Sequence, residues 1–176
     1  NMLYHFAEKC ENIYIQISTF DSEIYNICDP ILVNSESIDG LVEKIKKIRP
    51  LNSTNIGLAI KTLNENMKKP NQKWNLEIEE KNCIGILLTD GEPTYGITNV
   101  EKLVDMVTSE QSQHFIALGD RHNADLMQKI GNKNRFTSHW FINELEMTGS
   151  VYGEIIFNEL NRRYEDCVIE VQNGMI

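Results

Sequence analysis

A chain of 176 residues is long enough for one well-formed core and little more. Hydrophobic residues make up 41 %, and no apolar run approaches the ~20 residues of a membrane span, which speaks against a spanning helix. The net charge of −9, from 26 acids against 17 bases, argues against nucleic acid or an anionic membrane as the main partner; it suits a cation, a basic protein surface, or simply solubility.

In chain order, Met2 to Cys10 reads as the tail of an amphipathic helix, with Leu3, Phe6 and Ala7 at helical spacing. Leu51-Asn-Ser-Thr-Asn-Ile-Gly-Leu-Ala-Ile60 sets a hydroxyl-rich turn before an apolar helix. Ile56, Ala59, Ile60 and Leu63 keep the helical period, and Ser53 or Thr54 is the natural N-cap. Lys68 to Lys81 is polar, broken by Pro70, and reads as one long surface loop with Trp74 tucked down or offered to a partner. Ile84, Ile86, Leu87 and Leu88 form the short apolar run of a strand covered on both faces. It stops at Thr89-Asp90-Gly91. Ligands of open α/β sheets sit beyond the carboxyl ends of strands, so Asp90 stands where a binding carboxylate is expected; it also suits a plain turn before Gly91.

Further on, Asn123 reads as a helix cap with Asp125 in the first turn, where the helix dipole favours an acid. Glu154 to Arg163 reads as the last helix. Tyr164 to Ile176 alternates like a strand and holds an Asn-Gly turn. Cys10, Cys28, Cys83 and Cys167 show no C-x-x-C pair, and Cys28 and Cys83 sit beside apolar strands as buried small residues. A reduced, intracellular setting is favoured. The four histidines have no H-x-x-x-H spacing, and no phosphate loop, nucleophile elbow or pair of catalytic acids appears, so an enzyme is not expected.

Ser53-Thr-Asn-Ile-Gly-x-Ala59 and Leu87-Leu-Thr-Asp-Gly-Glu-Pro-Thr94, in this order and context, resemble the von Willebrand factor A domain family. The resemblance implies a metal-ion-dependent adhesion site to which Thr54 and Asp90 belong, with Ser53, Gly91, Glu92 and Thr94 beside it as partner-binding residues. It implies a three-layer, Rossmann-like α/β sandwich with a mostly parallel sheet. Ile13 to Ser22 looks like the family's second strand, Cys28 to Val33 the third, His114 to Asp120 the fifth and Phe136 to Ile142 the sixth. The core expected from these strands and the helix is Ile15, Ile17, Phe20, Ile60, Ile86, Leu88, Ile116 and Leu118.

The family's first strand ends in Asp-x-Ser-x-Ser, and no aspartate of this chain is followed by that pattern. The expectation is therefore a domain over residues 1–163 that starts inside the family's first helix, its central first strand and metal motif lying upstream. Residues 164–176 would be a strand opening a following β domain. Magnesium prefers near-octahedral oxygen coordination. A magnesium or manganese ion is thus expected in the complete domain and is weak or missing here. The functional expectation is a protein-interaction module whose partner offers an acidic side chain to the ion. The alternative is a metal-free scaffold within a larger intracellular or viral protein.

Overall fold

The structure is a computed structural model and describes residues 12–49, 53–90, 92–108, 110–144 and 147–161. The helix expected at Met2–Cys10 and the strand expected at 164–176 lie outside the described residues. Strands β1 (Tyr14–Phe20) and β2 (Ile24–Leu32) form an antiparallel pair. Strands β3 (Gly85–Thr89), β4 (Gln113–Leu118) and β5 (Thr137–Ile142) form a parallel sheet in the order β3-β4-β5. The helices are α1 (Ser35–Lys46), α2 (Ile56–Met67), α3 (Pro70–Trp74), α4 (Val100–Asp105), α5 (Ala124–Gly131) and α6 (Thr148–Leu160).

Successive side chains of a strand point to opposite faces. On one face of the parallel sheet, Leu87, Phe115 and Ala117 pack against Ile56 and Ile60 of α2, Leu103 of α4, and Leu126 and Ile130 of α5. On the other face, Ile116 and Ile142 pack against Val151 and Ile155 of α6, with Ile86, Leu118 and Trp140 at the margin. The architecture is the expected three-layer α/β sandwich. Strands β1 and β3 belong to separate sheets, and the described residues place no strand between them. Helices join the two sheets on both faces. Phe20 of β1 packs on the α2 cluster, and Ile156 of α6 packs on a smaller cluster of Val33, Ile38 and Ile15.

Two polar threads cross this apolar interior. The Gln113 amide donates to Asn64 Oδ1 at 2.8 Å, and Asn64 donates in turn to the Met106 carbonyl at 2.8 Å. On the α6 side, His114 Nδ1 lies 2.7 Å from Ser138 Oγ and its Nε2 lies 3.1 Å from Glu159. The Trp140 indole, a donor only, reaches Ser138 Oγ at 3.0 Å. A proton on His114 Nε2, with Nδ1 accepting from the serine hydroxyl, gives each of these groups a partner.

Several expectations change. Leu88 was expected in the core but is 37 % exposed, because the α6 cluster covers Ile86 and does not extend to Leu88 on the same face. Ile60 and Ile116 are fully buried, whereas Ile15, Ile17, Phe20, Ile86 and Leu118 are half-buried. The loop from Lys68 to Lys81 contains α3, which begins on buried Pro70; proline suits the first helical position because its missing N–H is not needed there. Trp74 is half-buried, with the Lys73 ammonium 4.9 Å from its ring centre. Cys28 is buried as expected but Cys83 only half so, and both are free thiols. Helix α6 starts at Thr148, six residues before Glu154, since burial of Val151 and Ile155 offsets the weak helix propensity of Gly149 and Gly153. Among the described residues no helix is long and apolar enough to cross a membrane.

Truncating Ile60 to alanine, or Ile155 to alanine, should cost about 2–5 kcal/mol in urea unfolding, because each is fully buried. Phe157 on the same helix α6 is 66 % exposed, so Phe157→Ala should change stability by only about 0.5 kcal/mol or less.

Candidate partner-binding edge

Three chain segments of the carboxyl edge bond to one another. The first is the turn after β1. Asp21 accepts the Glu23 N–H at 2.8 Å and the Ser22 hydroxyl at 3.3 Å on one carboxylate oxygen. The Tyr25 hydroxyl lies 3.5 Å from the other oxygen. Asp21 is 9 % exposed, and these contacts hold its side chain in the turn. Partial loss of water, then the charges of Asp21 and Glu23, push the Tyr25 phenol above its ordinary pKa.

The second segment is the start of α2. Its cap is Asn55, not Ser53 or Thr54. Asn55 Oδ1 accepts the Leu58 N–H at 3.1 Å. The backbone N–H of Asn55 donates to the Asp21 carbonyl at 2.8 Å, and its side-chain amide reaches the Ser22 carbonyl at 3.4 Å. Asparagine outcompetes the hydroxyls because it serves the helix and the β1 turn at once. The shift of one residue leaves the Thr54 hydroxyl out of the cap.

The third segment follows β3. Thr54 donates its N–H to Thr94 Oγ1 at 2.9 Å, and its carbonyl accepts the N–H of Thr94 at 3.0 Å and of Tyr95 at 3.3 Å. Gly96 has φ +71°, and a Cβ there would sit 2.6 Å from Asn55 Oδ1, so only glycine lets the loop close on the cap. Asp90 is the first residue past β3 and is exposed, as is Glu92; Ser53 is half-buried, and Gly91 lies outside the described residues. The structure thus joins Thr54 directly to Thr94, on the loop that Asp90 opens. Asn123 caps α5 by accepting the Leu126 N–H at 2.9 Å, with Asp125 in the first turn, as expected.

Among the described residues no three His, Cys, Asp or Glu side chains gather as a metal group. Thr54 and Asp90 bring two hard oxygens, well short of the six that magnesium takes. The described donor set does not by itself fit a complete metal site. Sequence reasoning missed Asn55 as the hub of this edge and Tyr25 as part of it. An Asn after two hydroxyl residues was a usable cap signal. The position of Tyr25 depends on the hairpin register, which nothing local specified.

Replacing Thr94 with valine should speed solvent exchange of the Thr54 amide about five-fold, the equivalent of one net hydrogen bond of ~1 kcal/mol. Asn55→Ala should destabilise the domain by about 1 kcal/mol through the cap alone, read by urea unfolding.

The family model of the von Willebrand factor type A domain matches residues 1–151. A search of curated protein sequences finds no match. Among solved structures, the chain is similar to a von Willebrand factor type A protein from Catenulispora acidiphila, with TM-score 0.67 and 10 % identity over 85 % of this chain and 34 % of that one. It is also similar to proximal thread matrix protein 1 of the mussel byssus, solved with a zinc-occupied MIDAS motif, with TM-score 0.61 and 18 % identity over 81 % of this chain and 35 % of that one. A further structure of the mussel protein gives TM-score 0.61 and 19 % identity over 82 % of this chain and 36 % of that one. The chain therefore spans about a third of the length of the structures it resembles, and at these identities the likeness is one of fold. On the match over residues 1–151, the chain belongs to the von Willebrand factor type A domain family.

Proposed function

We propose that the chain is a protein-interaction module that meets its partner at the carboxyl edge, without catalytic chemistry. The observation that carries this reading is the state of Thr54. Its hydroxyl is released from the helix cap, while its backbone is held by Thr94 and Tyr95 of the loop opened by Asp90. Thr54 and Asp90 occupy the family's metal-site positions. In the complete domain they would share a magnesium or manganese ion with an Asp-x-Ser-x-Ser segment that this sequence does not contain, and a partner carboxylate would complete the coordination. Ser53, Gly91, Glu92 and Thr94 would border the contact. The zinc-occupied MIDAS motif of the mussel protein, a chain of similar fold, supports a metal-binding reading.

A second reading, a metal-free scaffold, is favoured by the lack of an Asp-x-Ser-x-Ser segment in this sequence. Calorimetric titration with magnesium and manganese separates the two. A longer chain bearing the motif should bind the ion, and the present chain should give little or no heat. Asp90→Ala in the longer chain should abolish binding while shifting stability by only about 0.5 kcal/mol, because an exposed edge carboxylate carries little packing. A flat titration of the longer chain would sink the metal-dependent reading in favour of the scaffold.

A further inference from the structure

We infer that the partner segment received at this edge is basic, with lysine or arginine side chains laid against Tyr25 and Tyr95. The inference rests on the reading of the carboxyl edge as the partner face and adds the partner's chemistry. Three large side chains stand exposed around the cap: Tyr25 at 40 %, Tyr95 at 53 % and Ile97 at 40 %. They are held in place. The Tyr25 hydroxyl points to Asp21, whose carbonyl accepts from Asn55. Tyr95 donates its N–H to Thr54, and Ile97 packs over Gly57, where an added Cβ would meet it at 3.5 Å. Exposed tyrosines beside an aliphatic side chain are the composition of interface anchors.

Charge selects the occupant. Residues 12–43 and 82–101, which carry the tyrosines, contain no lysine or arginine. Asp21, Glu23, Asp90 and Glu92 stand in the same turns, the last three of them exposed. The first basic residues after these two stretches are Lys102 of α4 and the run Lys44 to Arg49, which starts in the last turn of α1 and passes its end. There Lys46 pairs with Glu43, and Arg49 donates to the carbonyls of Lys46 and Ile48. Tyrosine faces in turns that carry carboxylates attract ammonium and guanidinium groups through the ring quadrupole and through Coulomb attraction. An acidic partner group approaching an ion here would meet repulsion unless cations beside it offset the rim.

The test uses a blocked peptide of alternating glycine and arginine, and its glycine–glutamate counterpart, titrated into the chain in EDTA at low salt with amide shifts as the readout. The arginine peptide should shift amides in residues 21–25, 54–55 and 92–97, and 0.5 M NaCl should weaken it. Tyr25→Ala with Tyr95→Ala should weaken binding about five-fold or more, the paired Tyr→Phe changes should restore it, and Glu23→Gln with Glu92→Gln should weaken it too. Unchanged far-UV dichroism in each variant keeps the comparison valid. Equal affinity in the alanine pair, or shifts centred on the acids of the α4–α5 groove (Glu101, Asp105, Asp125), would overturn the inference. So would binding of the glutamate peptide alone. Arginine binding in EDTA beside a flat metal titration of the longer chain would uphold this inference while the metal-dependent reading failed.

Discussion

Helix α2 holds the domain together because its buried side serves two sheets that do not pair with each other. Ile56, Ala59 and Ile60 close the core over Leu87, Phe115 and Ala117, and Phe20 of β1 leans on the same cluster. At the far end of the helix, Asn66 donates to Gln16 of β1 at 2.9 Å. At the near end, Asn55 donates to Asp21. Strand pairing alone would leave β1–β2 as an isolated antiparallel ladder, which is marginal in water. Helix α6 repeats the bridge on the other face, with Ile155 toward the parallel sheet and Ile156 toward β1–β2.

The geometry of the carboxyl edge follows from that bridge. A helix that must meet the β1 turn needs a cap able to bond in two directions, and asparagine has both an acceptor and donors. Asn55 caps with its oxygen and reaches Ser22 with its amide. Thr54 is then left to the loop after β3, and Gly96 is required where that loop crosses Asn55. The same hydrogen bonds that anchor the fold therefore set the spacing of Thr54, Thr94, Tyr95 and Tyr25. Substitutions there act on stability, so any test of the proposed recognition has to measure stability beside it.

The chain's negative charge is unevenly shared, and the ion pairs show where it is neutralised. Lys129 lies between Glu101 and Asp125 at 3.2 and 2.9 Å, and Lys133 meets Asp105 at 3.1 Å, lacing α4 to α5. Such exposed pairs contribute little to stability. Their effect is to offset part of the local field on that flank, two lysines against three carboxylates. The turns around Asp21 and Glu92 have no lysine or arginine close in sequence.

The sequence by itself determined the layer order, the family and the carboxyl-edge position of Asp90. These depend on short-range patterns: an apolar run that stops on Asp-Gly, a hydroxyl turn before a helix, and an Asn-capped α5. Helix α3 after Pro70 was legible in principle, since proline at a first helical position is a local signal. What only the tertiary structure decided was which residue capped α2, where α6 began, which face of β3 lay open at Leu88, and which side chains gathered around Thr54. In each case local preferences were nearly balanced. Ser53, Thr54 and Asn55 all make good caps, and contacts from segments more than thirty residues away chose among them, as with the bonds from Asn55 to Asp21 and Ser22.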